Sequence, residues 1–599
     1  MRGAPIRTSV AVVMAATTLW GASALSSASA APGRPAQTAG TLASRHASAA
    51  VVAAAEAAAH AHAAATGVSE DDVLKATDAL EDAGGRKHVR FQRTHDGLAV
   101  LGADLIIHLD ARNQYLGVTR ATDRAISVST TTPKKSAADA RTTAADAAGG
   151  TAGQAELVVS ALADKAPVLA YRIRVTGKAT SNDTGVRDVV VDAATGKVLS
   201  NAPVADAFLA PSTLAKLNKA AQKPASPPPA TGAPLAGGGK PQPAAAAAGT
   251  DISGNSLYSG TVTLTASPYT DGQGTKWNIL RDPSRANTEV RDANGQQAKK
   301  FSDGQLIGTT GTTIGNGSTS NRTTVAVDAM YGITKTLDFY KNTFGRDGIG
   351  GNGGGAYGMV HWGSKVGNAF WSPDCGCMEY GDGDGSTFKN PLVVLDVTGH
   401  ELTHGVVDAT ANLQPTRIDS RGNQFGEPGA LNESLADIFG TGMEFATNNS
   451  KNPPNYLLGE KLGLAQGFLR RLDQPSLDKL EGTVDYWSSK AYDTEVHAGS
   501  GISSHAFYLL AEGSGKKTIG DVAYNSATYD GAAVTGIGRA KALNIFYTAL
   551  TSYMVSTTDF HGARTATLNA AKDLYGAGST EYQTVNRAWA AVNVTAANG

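Results

Sequence analysis

The feature that most restricts this chain is the run Asp396-Val397-Thr398-Gly399-His400-Glu401-Leu402-Thr403-His404. Two histidines four positions apart lie one turn above each other on a single helix face, so both imidazoles can reach one ion. Zinc suits such a pair, because it accepts His nitrogens in a tetrahedral site and leaves a position open for water. Glu401 follows the first histidine directly and is placed to take a proton from that water. The competing reading is an amphipathic helix with two unrelated histidines. A helix is favoured either way, since Leu392, Val393, Val394, Leu395 and Val397 form an apolar lead-in and Val406, Val407 and Ala411 continue it.

A site of this kind needs a third ligand, often a carboxylate. Glu433, in Gly429-Ala430-Leu431-Asn432-Glu433-Ser434-Leu435-Ala436-Asp437-Ile438-Phe439-Gly440, is the next candidate. Asp437, four residues on, shares its face and can hold a ligand histidine by the second ring N–H. Asn432 is assigned to the same supporting layer.

Taken together, His400 to Leu413 and Gly429 to Gly440 resemble the thermolysin family of zinc endopeptidases. Gly367-Asn368-Ala369-Phe370-Trp371 and Tyr380-Gly381-Asp382-Gly383-Asp384-Gly385 resemble that family's substrate-edge strand and following loop. Glu495-Val496-His497-Ala498-Gly499-Ser500-Gly501-Ile502 resembles the segment carrying its second catalytic histidine, and stretches near Arg539 and Asp573 resemble its last helices. The likeness covers roughly residues 250–599. It implies an α+β fold with a β-rich lobe over 249–395, a helical lobe over 396–599, and the motif helix at the floor of the cleft between them.

The resemblance also implies roles. Zinc would be held by His400, His404 and Glu433, Glu401 would act as general base, and His497 would stabilise the oxyanion. Asn368 and Ala369 would pair with the substrate chain, while Leu458, Leu462 and Leu469, with Arg470, would wall an apolar pocket for the residue after the cut. Asp396, Glu444 and Glu460 fall where the family places acids of its main calcium site; Asn455 and Leu457 replace further acids, so one calcium is expected. The family's orienting acid for His497 falls at Tyr492, with Asp493 one residue off register. Two further departures stand out. The connection from His404 to Glu433 contains no tyrosine, where relatives place an oxyanion-binding one, and it is longer; Arg417 or Thr416 could substitute. The Pro373-Asp374-Cys375-Gly376-Cys377 insertion holds both cysteines, either as a bridge or as free thiols.

The rest of the chain reads as an exported precursor. At 599 residues it exceeds one domain, and 52 basic against 53 acidic residues point away from nucleic acid and anionic membranes. Residues 1–30 read as a secretory signal peptide: Arg2 and Arg7, an apolar core from Val10 to Leu25, then Ala28-Ser29-Ala30. Residues 31–69 are Ala-rich and of low complexity, helical by propensity over Ala49–Ala65 but expected to be poorly ordered. Strand-like runs with an Asp96-Gly97 turn place one small α+β module at 70–125, and further strands place a second at 126–203. They resemble the fungalysin/thermolysin-type propeptide and the PepSY-type module, which implies a folding aid and intramolecular inhibitor. Residues 204–248, rich in Pro, Ala and Gly, read as a cleavable linker, with the mature enzyme starting near 249. A secreted monomer acting on peptides and proteins, preferring cuts before bulky apolar residues, is the expectation. A zinc aminopeptidase and a non-catalytic secreted binding protein are the alternatives.

Overall fold

The computed structural model describes residues 45–162, 166–180, 183–220 and 249–599. The signal-peptide reading and most of the linker reading fall outside these residues. Among them, no helix is long and apolar enough to cross a membrane.

The two N-terminal modules form one sheet. Its main path runs through Arg45–His46, Asp72–Glu81, Lys87–His95, Leu98–Leu101, Gly150–Ser160, Val168–Gly177, Val186–Asp192 and Val198–Pro203. The halves join where Leu98–Leu101 pairs in parallel with the end of Gly150–Ser160, Ala99 opposite Val158. A helix covers each half. Ala137–Ala148 begins with a capping box between Ser136 and Asp139 and packs Ala140 and Ala144 on Tyr171, Ile173 and Val189.

The expectation of poor order over 31–69 fails from residue 45 onward. Ala49–Ala61 is a helix with Val51, Ala55 and Ala59 buried against Phe91 and Ile107. A valine and two alanines at i, i+4 and i+8 give a flat, low-profile stripe, so a composition that looks featureless carries a packing face.

The linker reading of 204–248 also fails over its first part. Asp206–Ala207 is a strand and Pro211–Ala220 a helix. Phe208, Leu209, Leu214 and Leu217 are buried in the large core of the following domain, so the apolar residues of this stretch outweigh its Pro/Ala content.

From residue 249 the fold is the expected α+β pair of lobes. A five-stranded sheet (Gly308–Thr309, Lys276–Ile279, Thr261–Thr270, Thr250–Asn255, Thr313–Ile314) accompanies a seven-stranded one. The path of the latter runs Asp206–Ala207, Ala369–Ser372, Cys377–Tyr380, Tyr357–Val360, Thr288–Asp292, Arg281–Asp282. Its outermost strand is thus donated by the stretch that precedes the two lobes. The helix Arg322–Phe344 lies under the sheets with one side of nearly every turn buried. Beyond it come Leu395–Asp408, Glu427–Thr447, Gly501–Glu512, Arg539–Ser552, Phe560–Tyr575 and Thr580–Ala591. Cys375 and Cys377 are disulfide-bonded.

The motif helix and Glu427–Thr447 approach closely because glycines meet at the crossing. A Cβ on Gly440 would stand 3.0 Å from the Asp396 carbonyl oxygen and from the His400 nitrogen; one on Gly399 would stand 3.0 Å from Gly440 Cα. This close passage brings Glu433 and Asp437 onto the histidines.

Candidate active site

The motif helix Leu395–Asp408 is buried along all but its last residue, and His400, Glu401 and His404 are fully buried. His400 Nδ1 bonds Asp437 Oδ1 at 2.8 Å, and His404 Nδ1 bonds Asn432 Oδ1 at 2.9 Å. With each Nδ1–H donating to its partner, both Nε2 atoms carry lone pairs. These Nε2 atoms face each other at 3.0 Å, with Glu433 oxygens 3.4 Å from His400 Nε2 and 3.8 Å from His404 Nε2. Glu433 Oε2 and Glu401 Oε1 are buried without a hydrogen-bond partner. Converging lone pairs and carboxylates repel one another unless a cation lies between them, so the donor set fits a metal of zinc type.

Electrostatics follow from burial and proximity. Burial, with the charges of Glu433 and Asp206, lifts the Glu401 carboxyl well above the ordinary range. Burial alone would depress His497, but Glu433 and Glu495 outweigh it and hold the imidazole protonated well above its usual value. Burial likewise acts to raise Glu433, yet His497, His404 and His400 hold it low. Trp371 N donates to Glu401 Oε2 at 2.8 Å and aims the carboxylate.

His497 sits on a one-turn helix, Val496–Gly499, capped by Glu495, whose carboxylate accepts from His497 N at 2.9 Å and meets His497 Nδ1 at 3.0 Å. The orienting acid is therefore Glu495, and neither Tyr492 nor Asp493 fills that place. Asp493 pairs with Arg417, and Tyr492 is exposed. The signal was present in the sequence: a carboxylate two residues before a histidine can cap a short helix and hold the ring together.

The long connection before Glu433 folds as a hairpin, Arg417–Ile418 with Gln424–Phe425. Arg417 stacks 4.0 Å over Phe425 and pairs with Asp493; Thr416 Oγ1 bonds the Phe425 carbonyl. Both candidates for the missing tyrosine's role are engaged elsewhere.

The cleft holds the chain's own residues 206–209. Asp206 lies opposite Trp371 and Ala207 opposite Phe370, antiparallel. Phe208 N donates to the Ala369 carbonyl (3.1 Å), and Leu209 N to Asn368 Oδ1 (3.1 Å). Asn368 Nδ2 bonds the Leu209 carbonyl and Arg470 the Phe208 carbonyl. His497 Nε2 donates to the Ala207 carbonyl at 2.9 Å. The Phe208 ring is edge-on to His400 (5.2 Å) and 5.1 Å from the Arg470 guanidinium. Leu458, Leu462 and Leu469 are buried in the same core cluster, and Arg470 is clamped by Asp437 and Glu481. Sequence reading missed Asp206, whose carboxyl is pushed up to about 7 by burial and the nearby Glu433 charge.

Some distance away, Asp396, Glu444 and Glu460 come together. Asp396 accepts from Val397 N and Gly459 N; Glu444 from Asn452, Glu460 from Asn455. Glu444 Oε2, Glu460 Oε2 and Asn452 Oδ1 are buried without partners. Burial, with the Glu460 and Asp396 charges, raises Glu444 far above the usual carboxylate range.

Comparisons with known proteins place these features. The fungalysin/thermolysin propeptide motif matches residues 72–122 and the peptidase propeptide and YPEB domain 134–201. The transglutaminase-activating metalloprotease of Streptomyces mobaraensis is 38% identical over 88% of this chain and 62% of its own length. Thermolysin of Alicyclobacillus acidocaldarius is 39% identical over 45% of each chain. The precursor of protealysin from Serratia proteamaculans aligns at 28% identity over 51% of this chain and 87% of that one, with a TM-score of 0.38. The chain thus spans less than two thirds of the curated relatives it matches. The thermolysin metallopeptidase catalytic domain matches residues 251–408 and that family's alpha-helical domain residues 423–594; with more than half of the sequence so matched, the chain belongs to the thermolysin metallopeptidase family.

Proposed function

We propose that this chain is the precursor of a secreted, zinc-dependent neutral endopeptidase that cuts before bulky apolar residues. One observation carries the reading: two imidazole lone pairs and two unpartnered carboxylate oxygens converge beside a cleft that already holds an extended peptide. The peptide runs past the site in both directions, which favours an endopeptidase over an aminopeptidase.

Zinc held by His400, His404 and Glu433 would supply a Lewis acid that polarises the scissile carbonyl and acidifies water. Glu401, aimed by Trp371 N, takes the water proton and passes it to the leaving nitrogen. His497, kept protonated by Glu433 and Glu495, donates to the carbonyl oxygen as negative charge grows there. Asn368 and Ala369 hold the substrate backbone as an added strand, and Arg470 fixes the carbonyl of the residue after the cut. Leu458, Leu462 and Leu469 make the adjoining wall apolar. Asp396, Glu444 and Glu460 would hold one calcium, whose charge accounts for three clustered acids, two of which, Glu444 and Glu460, keep a buried oxygen without a partner.

The test is casein hydrolysis by the purified protein. 1,10-Phenanthroline is expected to abolish it and one equivalent of zinc to restore it. Full activity in metal-free protein would refute the proposal.

A further inference from the structure

We propose that the Ala207–Phe208 peptide bond is the first bond this enzyme cuts in its own precursor, an inference that rests on the endopeptidase reading. Residues 206–209 occupy the cleft in the register of a substrate. The direction is antiparallel to the edge strand Ala369–Ser372. The carbonyl held by the oxyanion donor His497 is that of Ala207. Phe208, the next residue, gives its N–H to Ala369 and its carbonyl to Arg470. Leu209 makes both its backbone bonds to the Asn368 side chain. Each contact names the same bond, and shifting the segment by one residue would break all five. A segment running the other way would present these groups in the opposite order along the strand.

The side chain agrees with the backbone. Phe208 is fully buried against His400 and Arg470, as a large apolar residue following the cut should be. The bond is also held from both ends. Val204 N pairs with the Val186 carbonyl of the N-terminal sheet, while Leu214 and Leu217 of the helix Pro211–Ala220 anchor in the catalytic core. Ser212 N bonds Asn423 of the hairpin inserted before Glu433, so that insertion helps seat the segment.

In the reaction, water adds across the Ala207–Phe208 amide. Its oxygen bonds to the Ala207 carbonyl carbon, giving a carboxylate, and both its protons go in turn through Glu401 to the Phe208 nitrogen, which leaves as an ammonium group. The N-terminal region then ends at Ala207. The first mature-side product begins at Phe208, far upstream of residue 249, and still holds Phe208 and Leu209 on the leaving side of the cleft. Later trimming must clear them.

The experiment starts from precursor purified in chelator and follows intact mass and N-terminal sequence after zinc is added, at two protein concentrations tenfold apart. The expected first products are fragments ending at Ala207 and beginning at Phe208, forming at a rate independent of concentration. Phe208→Leu should keep this cut, and Phe208→Asp should slow it more than about tenfold, since the apolar wall cannot solvate a charge. Because the Asp variant could misfold, synthetic peptides spanning 201–214 with Phe or Asp at 208 are also given to matured enzyme. Cleavage of the Phe peptide alone, between Ala207 and Phe208, is expected. An enzyme that hydrolyses casein but leaves this bond intact, or first produces a different N-terminus, overturns the inference alone. Failure to cut casein, peptide and precursor overturns the endopeptidase reading as well.

Discussion

At the scale of single residues, the site is a set of polar atoms that make sense only as a group. His497 is the clearest case: alone it is a buried histidine, but with Glu495 on Nδ1 and a peptide carbonyl on Nε2 it is an oriented cationic donor. Arg417 and Thr416, committed to Phe425 and Asp493, do not share its task. Loss of one oxyanion donor costs about 3 kcal/mol, or roughly two decades in rate. His497→Ala should therefore lower kcat on a small peptide by about a hundredfold with zinc content unchanged. Glu495→Gln should retain bound zinc and lose a smaller part of kcat, with the loss growing as pH rises, because a less basic imidazole deprotonates sooner. A kcat within threefold of wild type for His497→Ala would assign the oxyanion to another group.

Among elements, the helices that build the site were legible because their patterns are strong. Histidines at helical spacing and an apolar run before them keep their meaning out of context, while the Gly-Asn-Ala-Phe-Trp edge was legible only through its resemblance to the family's edge strand. Glu495 was harder, since its role arises from a one-turn helix whose cap is set by tertiary contacts. Ala49–Ala61 and Pro211–Ala220 were misread because small or sparse apolar residues give a weak periodic signal, and only the surface they meet shows that they pack. The N-terminal sheet's contact with the catalytic helices adds another feature that composition hides. His88 and His108 meet Nδ1 to Nδ1 at 2.8 Å beside Tyr553, surrounded by Arg86, Arg90, Asp82 and Asp573. Burial and the Arg86 charge push His88 down to about 4. Between pH 6.5 and 4 the unfolded chain takes up this proton and the folded one does not, so the contribution is present above 6.5 and lost as pH falls through that window. A shift of this size corresponds to about 3 kcal/mol. His108, bonded to His88 and held well below its usual value by burial, works in the same sense, and the buried Asp104 carboxyl in the opposite one, so the pair is tested together: the melting temperature of uncut protein should fall less from pH 7 to pH 4.5 in the His88→Gln/His108→Gln double variant than in wild type. Equal falls would show that neither histidine of the pair is the titrating group.

For the whole molecule, the N-terminal sheet, the inserted strand and the two lobes form one interlocked object. Arg90 reaches the carbonyls of Thr551 and Met554, Asp104 binds Ser556, Arg86 pairs with Asp573 and Arg174 with Asp374. Residues 208–217 contribute to the catalytic core itself. Residues 249–599 expressed alone should thus yield little soluble enzyme, and residues 31–203 added in trans should raise the yield; efficient refolding of 249–599 unaided would remove the case for a folding role. The central claim concerns Glu401 and the ion it serves, and it is tested most directly by measuring bound zinc and peptide hydrolysis on wild type and Glu401→Gln side by side. The account predicts one zinc at the His400–His404–Glu433 site in both proteins and, in the variant, activity lower by at least about a hundredfold, with the chain remaining uncut. A Glu401→Gln protein that hydrolyses peptides at the wild-type rate, or a wild type that does so without zinc, would contradict it.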